Sequence, residues 1–80
     1  MTPDEIEKKV QRIFRDVLDD ETIVLRRETT ASDVAGWDSL SHVGLIVAIE
    51  KEFKIRFSLS ELKPLQNVGD LLDMIRRKIF

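Results

Sequence analysis

Apolar residues near the start of the chain recur every three or four positions, which is the spacing of one helical face. They follow Thr2-Pro3-Asp4-Glu5, which has the form of a capping box with proline at the first helical position. The pattern predicts a first helix that runs from this box to about Asp19-Asp20. The face expected to turn inward consists of Ile6, Val10, Ile13, Phe14, Val17 and Leu18.

No sustained period continues from the end of this helix to Trp37, and turn-forming residues are frequent in that stretch. We therefore predict a long ordered loop. Loops of this length are uncommon in compact domains and are often functional. Four apolar residues are expected to hold the loop on the core, namely Ile23, Leu25, Val34 and Trp37.

Three further helices are predicted in the second half of the chain. Asp38 can cap a helix that extends through Phe53 and is more apolar than one narrow stripe requires. Ser58-Leu59-Ser60-Glu61 is another capping box, and Pro64 limits that helix to a short one. Asn67 can cap a final helix. The inward residues expected of the last two helices are Leu59, Leu62, Leu65, Val68, Leu71, Leu72, Ile75 and Ile79.

This order of elements predicts an all-α fold. We expect a small four-helix bundle, with three main helices, one short helix and a long loop between the first and second helices. Eighty residues form a single domain, residues 1–80, with one modest core and no room for a deep catalytic cavity. The size favours a carrier or binding module.

Charged residues are nearly balanced, with 13 basic and 15 acidic side chains and a formal net charge of -2. Such a chain has no global field that attracts nucleic acid or an anionic membrane, so we expect neither as a partner. It contains no cysteine, and any thiol chemistry therefore needs a thiol from elsewhere. Since no targeting or membrane-spanning pattern is evident, we expect a cytoplasmic monomer without membrane insertion.

The most distinctive stretch is Gly36-Trp37-Asp38-Ser39-Leu40, where the loop meets the second helix. It resembles the attachment motif of the acyl and peptidyl carrier proteins, which is a glycine, a variable residue and then Asp-Ser-Leu. The helix order and the loop agree with that family along nearly the whole chain. The resemblance implies a stand-alone, non-catalytic carrier protein with 4'-phosphopantetheine, derived from coenzyme A, attached covalently to Ser39.

Physical chemistry gives this assignment a reason. A serine in the first turn of a helix lies among backbone N–H groups, which stabilise a phosphodiester there. We expect Asp38 to orient the turn by capping and Leu40 to anchor the helix on the core. An isolated Asp-Ser pair is more often a plain helix cap, but the whole pattern favours attachment.

A catalytic serine is one alternative, because His42 follows Ser39 by three residues. The motif lacks the second glycine of a nucleophile elbow, and neither an oxyanion hole nor a residue that orients His42 is evident. A metal site is not expected, since His42 is the only histidine. We interpret His42 as a solvated or partner-facing side chain.

Contacts with cargo are expected near the attachment site. Trp37 either packs the loop on the bundle, which we favour, or stacks on the arm. Val43 and Val47 are expected to belong to the core. A second interpretation, compatible with the first, is that they line a groove that shelters an acyl chain. Across that groove they would face Leu62, Leu65 and Val68.

Acidic residues along the second helix are typical of housekeeping fatty-acid carriers, and this chain departs from that pattern. Ser41 and Gly44 stand where acids are frequent, and Lys51 interrupts the acids beside it. The departure implies a specialised pathway whose enzymes recognise the carrier by shape. The residues expected to contact those partners are Trp37, His42, Val43, Gly44 and Ile46.

The resemblance implies three kinds of partner: a phosphopantetheinyl transferase, an acyl- or aminoacyl-loading ligase or acyltransferase, and a downstream synthase or transferase. Fatty acid, polyketide, nonribosomal peptide and related pathways all fit. An alternative from another class is an unmodified helical adaptor. Its second helix would dock into a partner groove through Val43, Ile46 and Val47.

Overall fold

The computed structural model describes residues 2–79, with Ser39 described by its backbone alone. The elements are α1 (Pro3–Val17), a single 3₁₀ turn (Ala31–Asp33), α2 (Ser39–Phe53), α3 (Leu59–Leu62) and α4 (Val68–Ile79). Residues 2–79 contain no strand. The predicted all-α bundle, with three main helices and one short helix, is confirmed. Within the same residues, each helix is too short or too polar to cross a lipid bilayer.

α1 begins where its capping box predicts. Thr2 Oγ1 accepts a hydrogen bond from the Glu5 N–H at 3.2 Å, and the Thr2 N–H donates to Glu5 Oε1 at 3.4 Å. The helix ends slightly earlier than predicted, at Val17, and Asp19 then adopts a left-handed φ of 52°. That reversal of the backbone fits the C-terminal end of a helix, which commonly closes on a left-handed residue.

The predicted inward face of α1 is correct except at its last turn. Ile6, Val10 and Phe14 are buried, whereas Val17 is 38% exposed. Val17 lies beside Gly44 of α2, where a Cβ atom would be 3.6 Å from its Cγ1. Because glycine has no side chain to cover it, Val17 remains partly in solvent.

The loop between α1 and α2 is held on the bundle in two ways. The Val68 N–H donates to Thr29 O and the Gly69 N–H donates to Arg27 O, both at 2.8 Å. These donors belong to the first turn of α4, where helical N–H groups have no partner within the helix. The loop therefore caps α4. As predicted, its apolar residues also pack on the core: Ile23, Leu25, Val34 and Trp37.

α2 has the predicted bounds and carries apolar residues on two faces, of which one lies in the core. The side chains buried on the inner face are Leu45, Ile46, Ile49 and Phe53. Val43 and Val47 are 61% and 43% exposed, so the prediction that they belong to the core is wrong. Helical periodicity places them on the side opposite Leu45 and Ile49.

Burial also corrects a predicted partner contact. Ile46 is 6% exposed and belongs to the core, so it is not available to a docking protein.

α3 is the short helix that its capping box predicts. Ser58 Oγ accepts from the Glu61 N–H at 3.3 Å, and the Ser58 N–H donates to Glu61 Oε1 at 2.9 Å. The inward prediction is correct for Leu62 and Leu65, which are partly buried against the core. It is wrong for Leu59, which is 70% exposed because the first position of this single turn faces solvent.

Candidate functional site

The start of α2 is fixed by a reciprocal capping box. Asp38 Oδ1 accepts hydrogen bonds from the N–H groups of Leu40 at 3.1 Å and Ser41 at 2.9 Å. In return, Ser41 Oγ accepts from the Asp38 N–H at 2.8 Å. The hydrogen bond from the Ser41 N–H is the main reason why the pKa of Asp38 lies below its ordinary value. The predicted cap is confirmed, and its carboxylate is held in the ionised form.

Gly36 gives the turn before α2 its shape. Its φ of +87° lies in the left-handed region, which residues with a Cβ atom rarely adopt. Its carbonyl accepts from Ser41 Oγ at 2.7 Å. A Cβ atom at this position would meet nothing within 4 Å, so the turn requires glycine for its backbone conformation and not for space.

Two serines lie in the first turn of α2, and the structure distinguishes them. Ser39 is the first residue of the helix, and its side chain lies outside what the structure describes. The Ser41 hydroxyl accepts a hydrogen bond from the Asp38 N–H and donates to the carbonyl oxygen of Gly36. Ser41 therefore stabilises the turn in which Ser39 lies.

Leu40 does not anchor the helix on the core, as the sequence had led us to expect. Its side chain is 84% exposed. The capping hydrogen bonds of Asp38 hold the start of α2, so no apolar anchor is needed there. Leu40 instead presents apolar surface directly beside Ser39.

Trp37 and His42 form a packed pair next to this turn. Trp37 Nε1 donates to His42 Nδ1 at 3.1 Å, and the two rings are stacked with centroids 6.1 Å apart. Trp37 also packs edge-to-face with the buried ring of Phe14, with ring centroids 4.8 Å apart and an interplanar angle of 90°. The packing role preferred for Trp37 is confirmed. His42 is not fully solvated, because its ring is partly buried and bonded to Trp37; its partner-facing role stays a prediction.

A cavity of about 280 Å³ adjoins the turn, between the loop, the start of α2 and the segment that joins α3 to α4. Its wall includes Asp38, the residue before Ser39. Its lining combines apolar side chains with two amides, a carboxylate and an imidazole: Ala31, Trp37, Asp38, His42, Leu65, Gln66, Asn67 and Leu71.

The sequence predicted this cavity only in part. Leu65 was expected in a groove and does line this cavity. The other residues expected in that groove do not line it, namely Val43, Val47, Leu62 and Val68. Sequence reasoning missed Gln66 and Asn67, whose one signal is their position in the connection after Pro64.

Comparison with known proteins identifies the family. The family described as "Phosphopantetheine attachment site" matches residues 8–75. An acyl carrier protein of Porphyromonas gingivalis is 35% identical over 75 residues, which cover 94% of this chain and 96% of that protein. An acyl carrier protein of Thermosynechococcus vestitus is 34% identical over 79 residues, which cover 99% of this chain and 98% of that protein.

The fold gives the same result. The solution structure of a holo acyl carrier protein from Geobacter metallireducens superposes with a TM-score of 0.87 at 51% identity. The match covers 92% of this chain and 85% of that one. The chain therefore belongs to the family of acyl carrier proteins, non-catalytic carriers whose cofactor is covalently attached 4'-phosphopantetheine.

Proposed function

We propose that this chain carries acyl or aminoacyl groups as thioesters on a phosphopantetheine arm attached to Ser39. The observation that carries the proposal is the position of Ser39. It is the first residue of α2, it directly follows the cap Asp38, and it lies within residues 8–75 that match the attachment-site family.

The backbone at the start of α2 fits an attached phosphodiester. The positive end of the helix dipole favours negative charge at this terminus. The N–H groups of Leu40 and Ser41 already donate to the Asp38 carboxylate, so it is the helix dipole, and not those two groups, that favours an attached phosphodiester. The turn is thus held in shape before any modification.

The hydroxyl groups of the other serines in and beside α2 and α3 form hydrogen bonds within the fold, which supports Ser39 as the attachment residue. Ser41 holds the turn through its bonds to Asp38 and Gly36. Ser58 caps α3, and its hydroxyl lies 3.1 Å from that of Ser60.

The cavity beside the turn fits the chemistry of the arm, which alternates amide groups with short alkyl segments. Trp37, Leu65 and Leu71 offer apolar walls, and Gln66 and Asn67 offer amide groups that can donate and accept hydrogen bonds. When attached, the arm supplies the terminal thiol that this chain, which has no cysteine, lacks.

The family implies enzymes that act on the carrier: a phosphopantetheinyl transferase and acyl-handling enzymes. We assign the finer roles to a loading ligase or acyltransferase and to a downstream synthase or transferase. The unmodified adaptor is not favoured, because the match to the attachment-site family and the likeness to a holo carrier both point to a modified protein.

Intact-protein mass spectrometry tests the proposal. The purified chain is incubated with coenzyme A, Mg²⁺ and a broad-specificity phosphopantetheinyl transferase. We expect one phosphopantetheine on the wild type, none on Ser39→Ala, and one on Ser41→Ala, the matched control in the same turn. Modification of Ser39→Ala, or an unmodified but folded wild type, would overturn the assignment.

A further inference from the structure

Trp37 and His42 are joined by a hydrogen bond whose acceptor is a nitrogen that can take up a proton. Trp37 Nε1 lies 3.1 Å from His42 Nδ1, and an indole N–H can only donate. Nδ1 is therefore the unprotonated nitrogen of a neutral imidazole, and the ring hydrogen lies on Nε2. The contact fixes both the charge and the tautomer of His42.

Protonation of His42 breaks this hydrogen bond. An imidazolium carries a hydrogen on each ring nitrogen and has no acceptor left. Rotation of the ring by half a turn does not restore one, because the other nitrogen is then a donor as well. Two N–H groups would face each other across 3.1 Å, so the rings of Trp37 and His42 must separate.

Trp37 transmits this change to the surrounding fold. Its ring packs edge-to-face on Phe14, which is fully buried in the core, and it directly precedes the helix cap Asp38. The indole is itself partly buried, and a partly buried N–H that loses its acceptor must turn toward water to find another. The packing of Trp37 therefore loosens when His42 is charged.

Asp38 is the one charged residue that lines the cavity beside the pair, among residues 2–79. Its carboxylate attracts the proton that His42 takes up, but it already accepts two hydrogen bonds from the first turn of α2. From α1 the pair meets the neutral ring of Phe14. The loop, the connection after α3 and α4 also contribute only uncharged residues to this lining: Ala31, Leu65, Gln66, Asn67 and Leu71.

We propose that the hydrogen bond between Trp37 and His42 is a proton-controlled latch on the wall of the cavity beside Ser39. With His42 neutral, the latch is closed and Trp37 is held between the loop and α2. With His42 charged, the latch is open and this wall loosens. Imidazole is the side chain that ordinarily changes its charge between about pH 5 and 8, so the latch opens as the pH falls through that range. The latch does not depend on modification of Ser39.

Two signals of the protein itself report on the latch. The chain has one tryptophan, one histidine and no tyrosine, so the indole emission and the imidazole NMR signals each come from a single residue. The experiment uses the full, unmodified chain between pH 8 and pH 5. The NMR shifts of the His42 ring hydrogens follow its protonation, and acrylamide quenching of the emission follows the accessibility of Trp37. Correction for the fluorescence lifetime removes any direct quenching by the charged imidazole.

We expect the bimolecular quenching constant of the wild type to rise about twofold as His42 becomes protonated, with the same midpoint in both signals. His42→Asn is the matched control, because its amide oxygen lies as many bonds from Cβ as Nδ1 does and accepts without titrating. It should keep the low constant at every pH. His42→Leu, which removes the acceptor, should give the high constant at every pH.

Three results would overturn the latch. They are a quenching constant that does not change while His42 protonates, an equal change in His42→Asn, and an imidazole that stays neutral down to pH 5. Far-UV circular dichroism accompanies each titration, and loss of the helical signal together with increased quenching would show global unfolding and refute a local latch. If His42→Leu does not fold, the wild type and His42→Asn still decide the outcome. Because the arm takes no part in this experiment, failure of the proposed function would leave its result unchanged.

Discussion

Truncation of Leu45 to alanine should cost about 2–5 kcal/mol of unfolding free energy, whereas truncation of Val43 should change it by less than about 0.5 kcal/mol. Both are branched apolar residues of α2, two positions apart, and they lie on opposite faces of the helix. Leu45 is 1% exposed, so its loss leaves a cavity in the core. Val43 is 61% exposed, so its methyl groups are largely hydrated before and after the change.

The size of the protein makes this contrast easy to measure. A chain of 80 residues is expected to have a stability of about 4–12 kcal/mol, so Leu45→Ala removes a large share of it. In a domain of this size each kcal/mol shifts the melting temperature by about 4–8 °C. Thermal unfolding followed by far-UV circular dichroism should therefore show a fall of at least about 8 °C for Leu45→Ala and less than about 4 °C for Val43→Ala.

Equal destabilisation by the two variants would refute the reasoning. It would mean that Val43 packs in the core in solution and that this face of α2 is not exposed. A destabilised Leu45→Ala beside an unchanged Val43→Ala would agree with a solvent-exposed Val43.

Three further measurements test local features of the fold. Gly69→Ala should cost about 1–3 kcal/mol in urea unfolding, because the added Cβ would lie 2.9 Å from Arg27 O and displace the loop from α4. Gly36→Ala should lower the free energy of unfolding by about 1–2 kcal/mol, because residue 36 has a left-handed backbone conformation. Gly44→Ala, in the middle of α2, should raise the free energy of unfolding by about 0.4–1 kcal/mol, and equal effects of the two variants would contradict this. Stability should also fall as the pH drops below about 4. Carboxylates whose pKa is lowered in the folded protein stabilise the fold above their ordinary pKa and lose that contribution on protonation. A urea unfolding midpoint that does not change with pH in this range would contradict the expectation. Those carboxylates are Asp20, Glu21, Asp38, Glu61 and Asp73.

The helix starts could be predicted because the signals that set them are local. Asp38 and Ser58 each cap a helix through residues two or three positions away, and so does Asn67, whose Oδ1 accepts from the Asp70 N–H at 2.8 Å. Such contacts depend on sequence spacing alone and need no knowledge of the tertiary fold.

Which face of an apolar helix is buried depends on neighbours that are distant in sequence. α2 offers two apolar faces, and the period alone could not choose between Leu45 and Val43. The cavity beside Ser39 was missed in part for the same reason. It brings together Ala31 of the loop, His42 of α2 and Leu71 of α4, and only the packing of those elements makes them neighbours.

Peptide mass spectrometry of the modified wild type identifies the residue that carries the arm. Tryptic cleavage gives a peptide of residues 28–51, which contains Ser32, Ser39 and Ser41. Fragmentation of that peptide assigns the added phosphopantetheine to one residue. We expect the arm on Ser39 alone. An arm on Ser32 or Ser41, or no arm on this peptide from a folded and treated protein, would contradict the assignment.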